Sequence, residues 1–242
     1  MMDSIPQVFA ATVRHDPTHP LLTWYDDATG DRTELSGATL DNWVAKTANL
    51  LIDDAGLGPG DAVAVLLPPH WQTAAVLLGC WAAGLAVDHG GDPQPVEALF
   101  TTAEAVGAAT GWTTGERYAT GLLPLAAPLR QVPSGYADYV AEVRTQGDRF
   151  AAYQPVTGED RAVAGPVEAS HRTVCAEAAA RATELGIAAG DRVLVDARSY
   201  PDPLDWLLAP LAAGASVVLC GDLDPARVAA RVAAEKVTVT LT

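Results

Sequence analysis

The chain is poor in positive charge and almost free of lysine. Its 242 residues carry 15 Lys and Arg against 30 Asp and Glu, a formal net charge of −15, and the two lysines are Lys46 and Lys236. Nucleic-acid backbones and anionic membrane surfaces are held by clustered cations, so a field of this sign excludes DNA, RNA and lipid-surface roles. No apolar run reaches the roughly 18 residues of a membrane-spanning helix. The N-terminal Met1-Met2-Asp3-Ser4-Ile5-Pro6 has neither the basic region nor the apolar core of a secretory leader. Cysteine is scarce too: Cys80, Cys175 and Cys220 stand at no metal-ligand spacing, inside expected helices or a strand, and read as reduced, packed thiols. What remains is a folded, cytoplasmic body whose 49% hydrophobic content can bury a sizeable core.

What the chain does have is an internal echo. Gly56-Leu-Gly-Pro-Gly60-Asp61-Ala-Val-Ala-Val65 returns 130 positions later, without a gap, as Gly186-Ile-Ala-Ala-Gly190-Asp191-Arg-Val-Leu-Val195. Both copies run on to matched ends, Ala82-Ala83-Gly84 and Ala212-Ala213-Gly214. Before each turn the apolar residues fall at helical spacing, and a glycine that tolerates the left-handed conformation ends the helix. After it, short β-branched runs without polar alternation (62–67 and 192–195) fit strands buried on both faces of a parallel sheet. Apolar helices follow at 71–83 and 204–213. The fold class is therefore α/β, built from two related β-α-β units with right-handed crossovers.

Around these units the pattern predicts a helix from Ile5 to Arg14, a hairpin from Leu21–Tyr25 and Arg32–Leu35, and a long helix capped by Ser36. It predicts a further helix over 93–106, a strand near Ala108–Trp112, loops from Gly115 to Gly135, a short helix over 136–145 and a strand at Phe150–Tyr153. Pro225 to Glu235 reads as helix and Val237 to Leu241 as a last strand. The division is a first subdomain over 1–153, an irregular loop over 154–169 and a second, shorter unit over 170–242.

Sharper readings of single motifs fall to plainer ones. Gly56-x-Gly58-x-Gly60 follows a helix and precedes a strand, the reverse of a dinucleotide fingerprint, and reads as a turn. Ser170-His171 has no Gly-x-Ser-x-Gly elbow, so Ser170 reads as a helix N-cap. His70, Asp88, His89 and Asp92 lie at strand C-terminal ends but at no metal-ligand spacing, so no metal is expected. The six tryptophans read as core.

The order helix, Gly-x-x-x-Gly-Asp, Val-x-Val, apolar helix, Ala-Gly, strand is joined by Leu66-Leu67-Pro68, by Ser170-His171-Arg172 opening a helix, and by Leu208-Ala-Pro-Leu-Ala-Ala-Gly214-Ala-Ser-Val-Val. Together these resemble the N-terminal part of the adenylate-forming superfamily, which includes acyl-CoA synthetases and nonribosomal adenylation domains. The resemblance spans nearly the whole chain, and implies two related sheets and a use of ATP with Mg²⁺ and of CoA. The departures bear on activity. Where the superfamily's phosphate loop ends in Pro-Lys-Gly, this sequence has Ala164-Gly165-Pro166, and Glu159-Asp160 bring two carboxylates beside a Thr157-Gly158 remnant. Two anions oppose a nucleotide triphosphate, which Mg²⁺ or Arg161 offsets only in part. Ser199-Tyr200 stands in place of an aromatic-His pair. The resemblance thus marks Thr157, Gly158, Arg161 and Ser170 as degenerate nucleotide-loop candidates, and Ser199 and Tyr200 as substrate-binding candidates. The superfamily's Tyr-Gly-x-Thr-Glu element, ribose-binding Asp and C-terminal lysine have no counterpart in these residues.

The expectation is an AMP-binding-enzyme-like protein without catalytic residues, metal or cofactor, ATP with Mg²⁺ and CoA being disfavoured, which serves as a binding or interaction module. The alternative is half of a split acyl-CoA synthetase or adenylating ligase completed in trans. A third possibility, an α/β enzyme of unrelated chemistry, lacks a catalytic set. A homo-oligomer or protein partner is expected through the second sheet, where an open edge near Val237, Val239 and Leu241 would leave backbone groups unpaired. The small-molecule ligand is unknown.

Overall fold

The first unit begins with α2 (Gly37–Asn49), which Ser36 caps by accepting the Thr39 N–H at 3.2 Å and which a π-type turn, Leu50–Asp54, prolongs. Gly56, at φ +71°, takes the chain out of the helix in the left-handed conformation. The Asp61 carboxylate then accepts the Gly58 N–H at 2.7 Å, and the Gly60 N–H reaches the Gly84 carbonyl at 2.9 Å. This turn starts β3 (Ala62–Leu66); α3 (Trp71–Ala82) crosses back, and β4 (Ala86–Asp88) lies parallel to β3. These coordinates come from a computed structural model that describes residues 3–90 and 92–242. Met1 and Met2, part of the stretch weighed for a leader, lie outside the described residues.

The second unit repeats the first bond for bond. Ser170 caps α5 (His171–Glu184) through the Thr173 N–H at 3.3 Å, Asp191 accepts the Ala188 N–H at 2.7 Å, and the Gly190 N–H reaches the Gly214 carbonyl at 3.1 Å. β10 (Arg192–Asp196), a π-type turn (Leu204–Leu208) leading into α6 (Ala209–Ala213), and β11 (Ser216–Gly221) follow. Val63 faces Val87 across β3 and β4 as Val193 faces Val217 across β10 and β11, so the sequence offset is kept in the strand register.

The repeat extends further than its sequence signal. The second sheet runs β12 (Val239–Leu241), β10, β11, β1 (Pro20–Asp26), β2 (Arg32–Ser36). The first runs β7 (Ala137–Asp138), β6 (Glu116–Thr120), β5 (Ala98–Thr102), β3, β4, β8 (Arg161–Val163), β9 (Ala169–Ser170). The order β5-β3-β4-β8-β9 is the order β12-β10-β11-β1-β2. Each unit's helix is preceded by an antiparallel hairpin, and each hairpin pairs in the sheet of the other unit: β1 with β11 and β8 with β4, both in parallel. The hairpin at 20–36, grouped by sequence with the first unit, is thus hydrogen-bonded into the second sheet, and the 161–170 hairpin completes the first.

Between the sheets α1 (Ile5–His15), α2, α3, α5 and α6 share one core with residues of both sheets, including Phe9, Leu40, Trp81, Phe100, Trp206 and Leu219. Gly79 allows α3 to approach α2 closely: a Cβ there would lie 2.6 Å from the Thr47 Cβ. α4 (Tyr139–Val143) buries Tyr139, whose hydroxyl bonds Thr47 at 2.7 Å, and α7 (Val228–Glu235) covers the outer face of the second sheet near Cys220. The cysteines carry no disulfide. Among the described residues no helix is long and apolar enough to cross a membrane.

Four expected elements differ. The irregular loop expected over 154–169 holds β8 and the start of β9, because 161–163 find the open flank of β4. The helix expected over 93–106 is instead the buried strand β5: Pro93 and Pro95 offer no N–H, and Ala98-Leu-Phe-Thr-Thr102 inserts beside β3. The strand expected at Ala108–Trp112 is a series of turns whose Ala109 and Trp112 pack on Leu99 at the outer face of β5, while the strand lies at β6, in the stretch read as loops. Phe150–Tyr153 forms no strand and runs exposed or half-buried along the surface.

Because each sheet holds strands of both units, unfolding is expected to be one cooperative transition. Asp61→Ala and Asp191→Ala should each cost about 1 to 2 kcal/mol and add when combined. Fluorescence and far-UV circular dichroism should report a single shared denaturant midpoint for every variant; two separated transitions would overturn the exchanged-hairpin reading. Gly79→Ala should destabilise by roughly 1 to 3 kcal/mol through overpacking against Thr47, checked by the same unfolding curves.

Candidate functional site

Four of the six sequence candidates fall in one segment, the approach to α5. Thr157 donates from its N–H and its hydroxyl to the Asp160 carboxylate, at 2.7 and 3.1 Å, which closes a tight turn. Gly158 is buried in that turn against Asp3, where a Cβ would meet the Asp3 carboxyl at 2.9 Å. The turn's carbonyls are spoken for: Asp160 accepts the His171 N–H and Gly158 accepts the Arg172 N–H, each at 2.9 Å. With Ser170 on the Thr173 N–H, the first three donors of α5 are all paired within the protein. The first unit does the same, as Gly37 donates to His19, Ala38 to Pro17 and Thr39 to Ser36.

Downstream, the five residues 164–168 join β8 to β9 and carry the Ala164-Gly165-Pro166 triplet. Arg161 spans the base of this loop, with one guanidinium nitrogen 2.6 Å from Glu168 and another 2.7 Å from the Gly60 carbonyl. Gly165 sits at φ +114°, a conformation open to glycine, with Asp88 so near that a Cβ would lie 3.0 Å from its carboxylate. Beside the loop is a small polar recess of about 230 Å³ lined by Asp61, Glu97, Glu168 and Arg161 among others, three carboxylates against one cation. These residues do not suit a triphosphate.

Ser199 and Tyr200 lie elsewhere, in the turn after β10. The Ser199 hydroxyl donates to Asp196 at 2.6 Å and the Tyr200 N–H donates to the Asp196 carbonyl at 3.0 Å, while the Tyr200 ring packs on the core. The structure therefore brings Thr157, Gly158, Arg161 and Ser170 together and leaves Ser199 and Tyr200 on the other sheet. Sequence reasoning missed the partners Asp3, Asp88 and Glu168. Of these, Asp88 reads in the sequence only as a strand-end acid, and Glu168 has a signal of its own, since an acid seven residues on from Arg161 within one short hairpin can complete an ion pair. Among the described residues no group of three or more His, Cys, Asp or Glu gathers to hold a metal.

Two buried histidines mark the neighbourhood. His70 caps α3 by accepting the Gln72 N–H at 3.1 Å and lies edge-on to Trp24, with ring centroids 4.6 Å apart. Burial holds its pKa down to about 3. His171 accepts the Ile5 N–H at 3.4 Å, which ties α1 to α5, and burial lowers its pKa to about 4.

This arrangement has known counterparts. The AMP-binding enzyme family matches residues 9–128. The fold is that of the N-terminal domains of adenylate-forming enzymes. Brucella canis acyl-CoA synthetase superposes over 96% of this chain and 46% of its own with a TM-score of 0.75 and 18% identity. Acetoacetyl-CoA synthetase from Streptomyces lividans does so over 92% and 39%, with a TM-score of 0.71 and 19% identity. The chain spans about half the length of these solved structures, or less. A TIGR03089 family protein from Mycobacterium tuberculosis is 44% identical over 237 residues, 95% of this chain and 94% of that protein, and the chain belongs to this family.

Two outcomes follow. Gly165→Ala should destabilise the protein by about 1 to 3 kcal/mol, because alanine strains at this φ and crowds Asp88; an unchanged unfolding midpoint would refute the role assigned to the left-handed turn. The second concerns acid. Imidazoles held neutral in the fold take up protons in the unfolded chain from about pH 6.5 downward, so stability is retained above that pH and falls as pH drops toward 4. His70→Asn keeps an N-cap acceptor but does not titrate, and should remove on the order of 3 kcal/mol of this pH dependence. Urea unfolding at several pH values between 7 and 4 checks it: equal slopes for variant and parent would defeat the assignment.

Proposed function

We propose that this protein is a non-catalytic relative of AMP-binding enzymes that acts as a binding or interaction module. One observation carries the reading: the loop between β8 and β9 carries Ala164-Gly165-Pro166 where counting back from Ser170-His171 puts the superfamily's Pro-Lys-Gly, and it is closed by the Arg161–Glu168 pair at 2.6 Å. A triphosphate approaching there meets Glu168, Asp61 and Glu97, and the one guanidinium in reach is already paired. Nearby carboxylates raise the energy of a bound polyanion steeply where solvent is reduced. Adenylation also needs a cation aimed at the transferring group, and Gly165 supplies none. The enzymatic reading, in which a separate chain completes an adenylating ligase, draws on the chain's match to about half of acyl-CoA synthetase.

ATP–pyrophosphate exchange separates the two. The purified protein is expected to give no exchange above a no-enzyme control with short, medium, long or aromatic carboxylic acids, and no stabilisation by ATP with Mg²⁺. A ligand at a hundred times its Kd would add about 2.7 kcal/mol, which a melting curve resolves. Exchange with even one acid, in protein free of contaminating synthetase, would overturn the non-catalytic reading, and exchange that arises only on adding a second chain would establish completion in trans.

A further inference from the structure

The two units are matched strand for strand, so a place where they part company is informative. In the first unit the ground beside Gly84 is filled: a Cβ there would touch Pro59 at 3.5 Å and Val156 at 3.6 Å. The equivalent glycine of the second unit, Gly214, has nothing within 4 Å, and Ala189 replaces Pro59. What opens there is a cleft of about 860 Å³ between α1, α5 and α6, at the N-terminal ends of β10 and β11. Ala11, Ala179 and Ala212, one from each helix, form its walls and leave the space between the helices unfilled. Val8, Cys175 and Leu211 give the cleft an apolar floor, behind which Ile5 and Leu208 pack with almost no space between them. The volume is that of a small-molecule site, and apolar walls with a polar mouth fit an amphiphile.

The mouth decides the sign of the head group. Asp16 and Asp191 supply two carboxylates, and the lining contains no lysine or arginine. Both accept from neutral donors, Asp16 from Thr18 and the His19 N–H and Asp191 from the Ala188 N–H and the Thr238 hydroxyl, so neither charge is offset by these bonds. α1 ends at His15, so the negative end of its dipole lies at the same opening. His15 and His19 add hydrogen-bonding imidazoles. A carboxylate or phosphate ligand would meet like charge here, and a second copy of the chain would bring a further net charge of −15. We infer that the cleft between α1, α5 and α6 binds a small apolar amine, its hydrocarbon or aromatic body against the alanine walls and its ammonium group at Asp16 and Asp191. The inference goes beyond the functional reading above and stands whether or not nucleotide binds, because none of Thr157, Gly158, Arg161, Ser170, Ser199 and Tyr200 lines the cleft.

Decylamine, decanol and decanoate, each held below micelle formation, provide the test by isothermal titration calorimetry on the whole chain. Decylamine is expected to bind saturably and at least about tenfold more tightly than the other two. It should also slow alkylation of Cys175, half-buried at the floor, whereas Cys80 and Cys220 are buried away from it. Ala179→Phe and Ala212→Phe fill the cleft from opposite walls, so one can stand if the other fails to fold. Either, with a native circular dichroism spectrum, should weaken decylamine by about tenfold or more. Asp16→Asn, which keeps an acceptor for the Thr18 and His19 N–H groups, should abolish the preference for amine over alcohol. No saturable decylamine binding below about 1 mM, decanoate binding as tightly, or well-folded filled variants that bind unchanged would each overturn the proposal.

Discussion

Neither parallel sheet is complete without backbone from the other unit. The exposed side of β4 offers N–H and C=O groups that β8 satisfies, and the exposed side of β11 offers groups that β1 satisfies over five residue pairs. Unpaired groups of this kind, once buried, cost as much as lost hydrogen bonds, so the exchange of hairpins constrains everything between the sheets. Each hairpin must reach its distant sheet and return in time to cap its own helix, which Ser36 does for α2 and Ser170 for α5. The helices are then fixed at both ends, by the cap at the start and by the Gly-Asp turn at the finish. The central core lies between elements that have little freedom to slide.

That logic separates what could be read in the sequence from what could not. The Gly-Asp turn is local: a carboxylate that accepts an N–H three residues earlier, beside a left-handed glycine, is written in a handful of adjacent residues, and both copies were legible. The caps were legible for the same reason. Strand β5 was not, because a short apolar run after two prolines has no period that tells helix from strand, and its assignment depends on the vacant flank of β3. The home sheet of β1 was equally hidden. Leu22 pairs with Val217, and nothing within the hairpin announces a partner nearly two hundred residues away.

The candidate site was legible in its residues more than in its contacts. Gly165 is plain in the sequence, but its left-handed φ and its packing against Asp88 depend on where β4 ends. The groups that close the start of α5 are backbone carbonyls of Gly158 and Asp160. Every residue has a carbonyl, so no residue type signals this.

A helix N-terminus attracts anions when its first N–H groups point into open space. In this protein neither α2 nor α5 offers that, and the agreement between them is the instructive point. α2 receives the carbonyls of Pro17 and His19 where α5 receives those of Gly158 and Asp160, although no part of the phosphate-loop resemblance falls on the first pair. The closure is therefore a property of the repeated hairpin-helix unit and carries no information about nucleotide. Whatever distinguishes the second hairpin must lie in its loop, and there the distinguishing residues are Arg161, Gly165 and Glu168, a paired cation, a left-handed glycine and an anion. The same comparison gives the cleft beside Gly214 its weight: in a structure that repeats its hydrogen bonds so closely, a volume packed by Pro59 and Val156 in one unit and open in the other is a difference the fold itself does not require.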